Sequence, residues 1–115
     1  MVEKVRVGDL VVEEDACICN EDALIEFYSE DELEEYSRVL KAIANPIRLQ
    51  IVRTLLSSPQ CVCVLSAVVK KDQTLVSHHL AKLRDAKIVR EDVVGKFRIY
   101  SLVDERVKKI LSALE

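Results

Sequence analysis

No stretch of about 18 uncharged apolar residues occurs in the chain, which excludes a membrane-crossing helix. The N-terminal residues lack a basic stretch followed by an apolar block, so a cytoplasmic location is expected. Glycine and proline occur twice each, far from the loop-rich composition of a small secreted domain stapled by disulfides. There is no Cys-x-x-Cys pair, no glycine-rich phosphate loop and no nucleophile placed beside a base. No enzymatic activity is therefore expected. Internal repeats and low-complexity tracts are absent as well.

The chain has 115 residues, half of them hydrophobic, enough for one core and too few for a second. A core of that size is marginal, and dimerisation is a common remedy. The formal net charge of −3 argues at first sight against a nucleic-acid partner. Its distribution reverses the argument. Residues 1–37 carry two basic side chains, Lys4 and Arg6, against thirteen acidic ones, a net of −11. Residues 38–98 carry twelve basic and four acidic, a net of +8. Screening limits the reach of a charge to about 10 Å at moderate salt, so a partner responds to the local field rather than the total. A basic module follows an acidic arm, and we place the boundary between arm (1–28) and domain (29–115) just before the first helix signal.

That signal is Ser29 with Glu32 three residues on, a capping box. Leu33, Tyr36, Leu40 and Ile43 follow at helical spacing and predict a helix over 30–43. Asn45-Pro46 opens a second helix, with Asn as cap and Pro in the first turn, ending near Ser57-Ser58-Pro59. A short third helix covers 62–69, Lys70-Lys71-Asp72 forms a turn, and a fourth helix runs from 73 to 86. In that helix Leu75, Val76, Leu80 and Leu83 are expected to face inward. Residues 88–94 and 97–102 are rich in β-branched side chains around Gly95, the signature of a hairpin. Asp104 caps a last helix whose stripe Val107, Ile110, Leu111 and Leu114 suggests a dimer contact. Residues 1–16 are compatible with a short strand or a flexible arm. The sum is mainly α with a β-hairpin wing, a winged helix-turn-helix acting as a homodimer joined through the first and last helices.

Four cysteines form two pairs, Cys17-Ile18-Cys19 and Cys61-Val62-Cys63. In a reducing compartment paired thiols bind metal or do redox work, and thiolates select soft ions. Side chains two apart on a regular helix diverge, so Cys61 and Cys63 can share an ion only at an irregular helix start. Inert cysteines, a structural zinc site and a thiol-redox switch are the alternatives.

The stretches LKAIANPIRLQIVRTLL, CVCVL, TLVSHHLAKLRDAKIV and GKFRIYSL together resemble the ArsR/SmtB metal-responsive repressors over about residues 38–104. The likeness is strongest to the cadmium/lead-sensing and arsenic-sensing branches. The resemblance implies a transcriptional repressor that binds double-stranded operator DNA as a homodimer, with no membrane partner. It implies release by a thiophilic ion (Cd, Pb, Zn or As) held by Cys17, Cys19, Cys61 and Cys63, the arm of one subunit reaching the third helix of its partner. Gln73, Thr74, Ser77 and His78 suit base edges or nearby phosphates, and Lys70, Lys71, Lys82 and Arg84 suit phosphates. Arg90, Lys96 and Arg98 would let the wing hold the backbone. His79 falls where the family has an inward, packed histidine, and adjacent histidines chelate one ion poorly because they point about 100° apart. Two departures stand out: the arm pair is spaced more tightly than in the cadmium/lead branch, and Val64 occupies a position that is often acidic. A second family site on the last helix keeps Asp104 but has Arg106 where a histidine belongs, so that site is expected to be absent.

Overall fold

The computed structural model describes residues 2–12 and 20–115. The chain divides into two units, Met1–Ser37 and Arg38–Glu115. In the first, strand β1 (Val2–Arg6) pairs antiparallel with β2 (Leu24–Tyr28), in a register that sets Val2 against Tyr28 and Arg6 against Leu24. The arm thus begins as a strand, and its partner is a second strand the sequence pattern did not disclose. A two-stranded ribbon has no interior of its own, and Leu24, Ile25, Phe27 and Tyr28 all stay exposed. Tyr28 and Tyr36 meet edge to face with ring centroids 5.1 Å apart.

Helix α1 (Glu30–Ile43) starts at the capping box. The Glu32 N–H donates to Ser29 Oγ at 3.2 Å and the Ser29 N–H donates to Glu32 Oε1 at 3.1 Å, satisfying two orphan donors at once. The inward side of its last turns is Val39, Ala42 and Ile43, whereas Leu33 and Leu40 are each 50 % exposed. Of the apolar positions at helical spacing Ile43 is thus buried, beside Val39 and Ala42.

In the second unit, α2 (Pro46–Ser57) is capped by Asn45, whose Oδ1 accepts from the N–H groups of Ile47 (2.9 Å) and Arg48 (3.2 Å). A two-residue strand, β3 (Gln60–Cys61), leads into α3 (Val62–Val69). Lys70 then adopts a left-handed conformation (φ 59), and its N–H closes α3 on the Ser66 carbonyl. Asp72 caps α4 (Gln73–Asp85) by accepting from the Leu75 N–H at 2.8 Å. Strands β4 (Val89–Val94) and β5 (Phe97–Leu102) turn at Gly95, whose φ of +60 suits a residue without Cβ. The sheet order is β3-β5-β4, and α5 (Glu105–Ala113) ends the unit.

The core gathers one face from every helix: Ile51, Val52 and Leu55 of α2, Leu65 of α3, Val76, Leu80 and Leu83 of α4, Ile88, Tyr100 and Leu102 from the wing, Val107 and Leu111 of α5. Leu75, expected inside, is 37 % exposed, because Val76, His79, Leu80 and Leu83 already fill the inward face of α4. On α5, Val107 and Leu111 lie in the core, Ile110 packs partly against it and Leu114 is exposed. Most of the stripe read as a dimer contact thus serves the unit's own interior.

One polar tie crosses this core. Arg48 Nε on α2 donates to Nδ1 of the buried His79 on α4 at 3.0 Å, which requires a neutral ring. Burial, with Arg48 and His78 adding like charge, holds the imidazole below its ordinary value. The unfolded chain then takes up a proton that the folded one refuses, so this contribution to stability is complete above about pH 6.5 and is lost as pH falls through the lower folded value. Urea midpoints should drop between pH 7.5 and 5.5, and His79→Gln should flatten that drop; an unchanged slope in the variant would refute the assignment.

Lys87, after α4, shares the left-handed conformation of Lys70. Its φ is 62, its N–H donates to the Arg84 carbonyl and the Ile88 N–H to the Leu83 carbonyl, the two bonds of a Schellman close. Lysine there bears a left-handed penalty that glycine escapes, partly offset by the freedom glycine adds to the unfolded chain. Lys87→Gly should therefore stabilise the protein by about 0.5–1 kcal/mol in chemical denaturation. Destabilisation would show that the exposed Lys87 side chain contributes more than its backbone strain removes.

Candidate nucleic-acid interface and thiol site

With Val76, His79, Leu80 and Leu83 turned inward, α4 must present the rest of its surface to solvent. Gln73, Thr74, Ser77 and His78 lie on one exposed face near its start, at spacings of one, four and five. Lys70 and Lys71 stand exposed just before it, and Lys82 and Arg84 in its last turns. Short polar groups at a helix start, flanked by cations, form a surface suited to a major groove. His78 and His79 diverge as expected, with ring centroids 6.3 Å apart and planes 70° apart.

The thiols approach this surface through β3. Cys61 pairs with Ile99 of the wing and also forms the extended residue just before α3, while Cys63 lies in the first turn. Cys61, Val62 and Cys63, Gln73 and Ser77 of α4, and Lys96, Phe97 and Arg98 of the wing line a single groove of about 350 Å³. Interaction between the neighbouring thiols holds Cys61 below its ordinary value and, with desolvation, pushes Cys63 above it. The Val64 N–H at the start of α3 favours the Cys61 thiolate further. Cys61 is therefore the more readily ionised of the two thiols. Such donors fit a soft ion. Among the described residues no cluster of three or more metal-ligating side chains forms. Cys17 and Cys19 lie outside the described residues. Asp104 caps α5 and pairs with Arg106 at 3.0 Å.

The wing cations are arranged differently from a free basic comb. Arg90 pairs with Asp92 at 3.0 Å, and Lys96 lies 5.8 Å from the Phe97 ring centre at the tip. Arg84 and Arg90 line a separate concavity with Lys87 and Glu91 rather than the thiol groove. Glu91 accepts three bonds: from Tyr100 Oη (2.7 Å), Arg98 Nη1 (2.9 Å) and Arg84 Nη1 (3.1 Å). Its carboxyl is held below the usual range by the Tyr100 hydroxyl first and then by the two arginines, against a desolvation penalty. Tyr100 is raised to about 12 by burial and by Glu91. Sequence reasoning passed over Glu91 and Arg48. The available signal for Glu91 was its sign, one of four acidic residues within 38–98.

Residues 45–91, which span α2 through the start of the wing, match the model of the bacterial regulatory protein, arsR family. The arsenical resistance operon repressor of Bacillus subtilis is 35 % identical over 81 residues, covering 70 % of this chain and 77 % of that one. Among solved structures, HlyU from Vibrio cholerae superposes with a TM-score of 0.72 at 32 % identity, over 75 % of this chain and 94 % of that one. The homodimeric winged helix-turn-helix DNA-binding domain of a possible ArsR-family transcriptional regulator from Mycobacterium bovis gives 0.66 at 27 % identity, over 71 % and 76 %. Among the described residues no helix is long and apolar enough to cross a membrane. An α4 bearing polar groups outward, a hairpin wing beside it, and these likenesses agree: the chain belongs to the arsR family of DNA-binding transcriptional regulators.

Proposed function

We propose that the protein is a metal- or metalloid-responsive repressor, which binds operator DNA as a homodimer and leaves it when a thiophilic ion is captured by cysteine thiolates. Candidate ions are Cd(II), Pb(II) and As(III), with Zn(II) as a weaker competitor for sulfur. One observation carries this reading: Cys61 and Cys63 line the same groove as Gln73, Ser77 and Arg98. Capture of a soft ion there displaces thiol protons and sets new bulk and charge beside the face that would meet DNA. A differential affinity of a few kcal/mol between the two states suffices to empty an operator. Cys17 and Cys19 supply the remaining sulfurs in this proposal. Lys70, Lys71, Gln73, Thr74, Ser77, His78 and Lys82 form the DNA face, with Arg84, Arg90, Lys96 and Arg98 at its flank and wing.

Dimerisation is supported by the homodimeric relative and by the exposed Leu40 of α1 and Leu114 after α5. Sedimentation at micromolar concentration should give the mass of a dimer, and Leu40→Glu should shift it toward monomer. A stable wild-type monomer would remove the two-fold operator from the proposal.

The switch is tested with reduced protein on a labelled duplex selected from a randomised pool. Cd(II) should generate sulfur-to-metal charge-transfer absorption and lower duplex anisotropy together. Cys61→Ser or Cys63→Ser should abolish release while leaving metal-free binding intact. Release of Cys61→Ser at wild-type Cd(II) concentrations would defeat the thiolate switch. Release by a mild oxidant but not by Cd(II) would favour thiol-redox control of the same groove.

A further inference from the structure

Glu91 lies in the basic module yet is only 14 % exposed along its side chain, and it engages two of the cations that would otherwise grip phosphate. Its position follows from the wing's register. Glu91 on β4 stands directly opposite Tyr100 on β5, and Arg98 lies two residues from Tyr100 on the same face of the hairpin. Arg84 reaches the carboxylate from the last turn of α4. Three donors from two elements therefore converge on one carboxylate, and both of its oxygens are used: Oε1 by Arg98, Oε2 by Arg84 and Tyr100. Each guanidinium gives one Nη1 to this carboxylate and stays partly exposed, Arg84 at 46 % and Arg98 at 63 %, so Glu91 offsets part of the charge that each would offer to phosphate.

We propose that Glu91 is a specificity-determining residue, an internal stand-in for phosphate that occupies Arg84 and Arg98 until the recognition helix has found its register. This rests on the reading that α4 and the wing grip duplex DNA. On a random sequence, a loosely placed phosphate gains little from either arginine, because the carboxylate that Tyr100 also holds in place offsets part of their charge. On the selected site, contacts made by Gln73 and Ser77 fix the backbone beside the wing, and exchanging carboxylate for phosphate becomes favourable. Specificity then arises from penalising the wrong complex as much as from stabilising the right one. The carboxylate would lower affinity for bulk DNA, whose binding is almost wholly electrostatic.

The experiment compares wild type and Glu91→Gln on two duplexes, a random 30-mer and one selected from a randomised pool, across a salt series. Glutamine keeps the shape and still accepts from Tyr100 but no longer holds two cations. The expected result is an affinity for random DNA raised about tenfold, with a log–log salt slope steeper by about one to two. Affinity for the selected duplex should change less, so that the ratio between the two falls. Equal losses on both duplexes with unchanged slopes would overturn the proposal and reduce Glu91 to a brace for the wing. Arg98→Gln keeps the test decisive should Glu91→Gln unfold. With Glu91 in place, it should barely weaken random-DNA binding yet weaken selected-site binding clearly, and a full unit lost from the random-DNA slope would refute the inference. A wild-type protein that binds neither duplex would instead bring down the DNA-binding reading itself.

Discussion

Everything this protein can present to a partner depends on how one helix is seated. The burial of Val76, Leu80 and Leu83 fixes the rotation of α4, and the bond between Arg48 and His79 fixes it against α2. Apolar packing alone specifies a face but is tolerant of sliding, because it has no direction. A hydrogen bond between a guanidinium and one ring nitrogen tolerates neither rotation nor a change of protonation. With the inner face set by both, the outward display of Gln73, Thr74, Ser77 and His78 follows from the helical period without further instruction.

The second dependency runs through β3, two residues long. Pairing Gln60 with Tyr100 and Cys61 with Ile99 ties the start of α3 to the middle of β5. The same strand β5 carries Arg98 and Tyr100, both bonded to Glu91, and Glu91 reaches Arg84 at the end of α4. Thiols, wing and recognition helix thus meet through adjacent residues of one strand. Cys61 is thus joined to these cations by a short covalent and hydrogen-bonded path.

Much of this was legible in the order of residues, where the controlling interactions are local. Ser29, Asn45 and Asp104 bond to N–H groups two or three positions away, so the starts of α1, α2 and α5 followed from spacing alone. Gly95 marked the wing turn for the same reason. Features joined by distant residues stayed hidden. β1 meets β2 across some twenty positions, β3 is too short to show a period, and Arg48 finds His79 31 positions away. Helix faces were read less well than helix ends: Leu75 fits an apolar stripe, but the interior selected other residues at equivalent spacing. The basic residues proposed for the DNA face stood out by sign, while the carboxylate that pairs with two of them did not, since cross-strand register decides which charges meet.

The order β3-β5-β4 leaves β4 as the open margin of the sheet. Unpaired amides and carbonyls along such a margin are a template on which another chain can add a strand, and the exposed Val93 and Val94 would favour that stacking. Arg90, Glu91 and Asp92 occupy consecutive positions of the same strand, and the Arg90–Asp92 ion pair sits along it. Any incoming strand would have to strip water from that pair. Charge on the wing's edge thereby disfavours the addition of a strand from another copy.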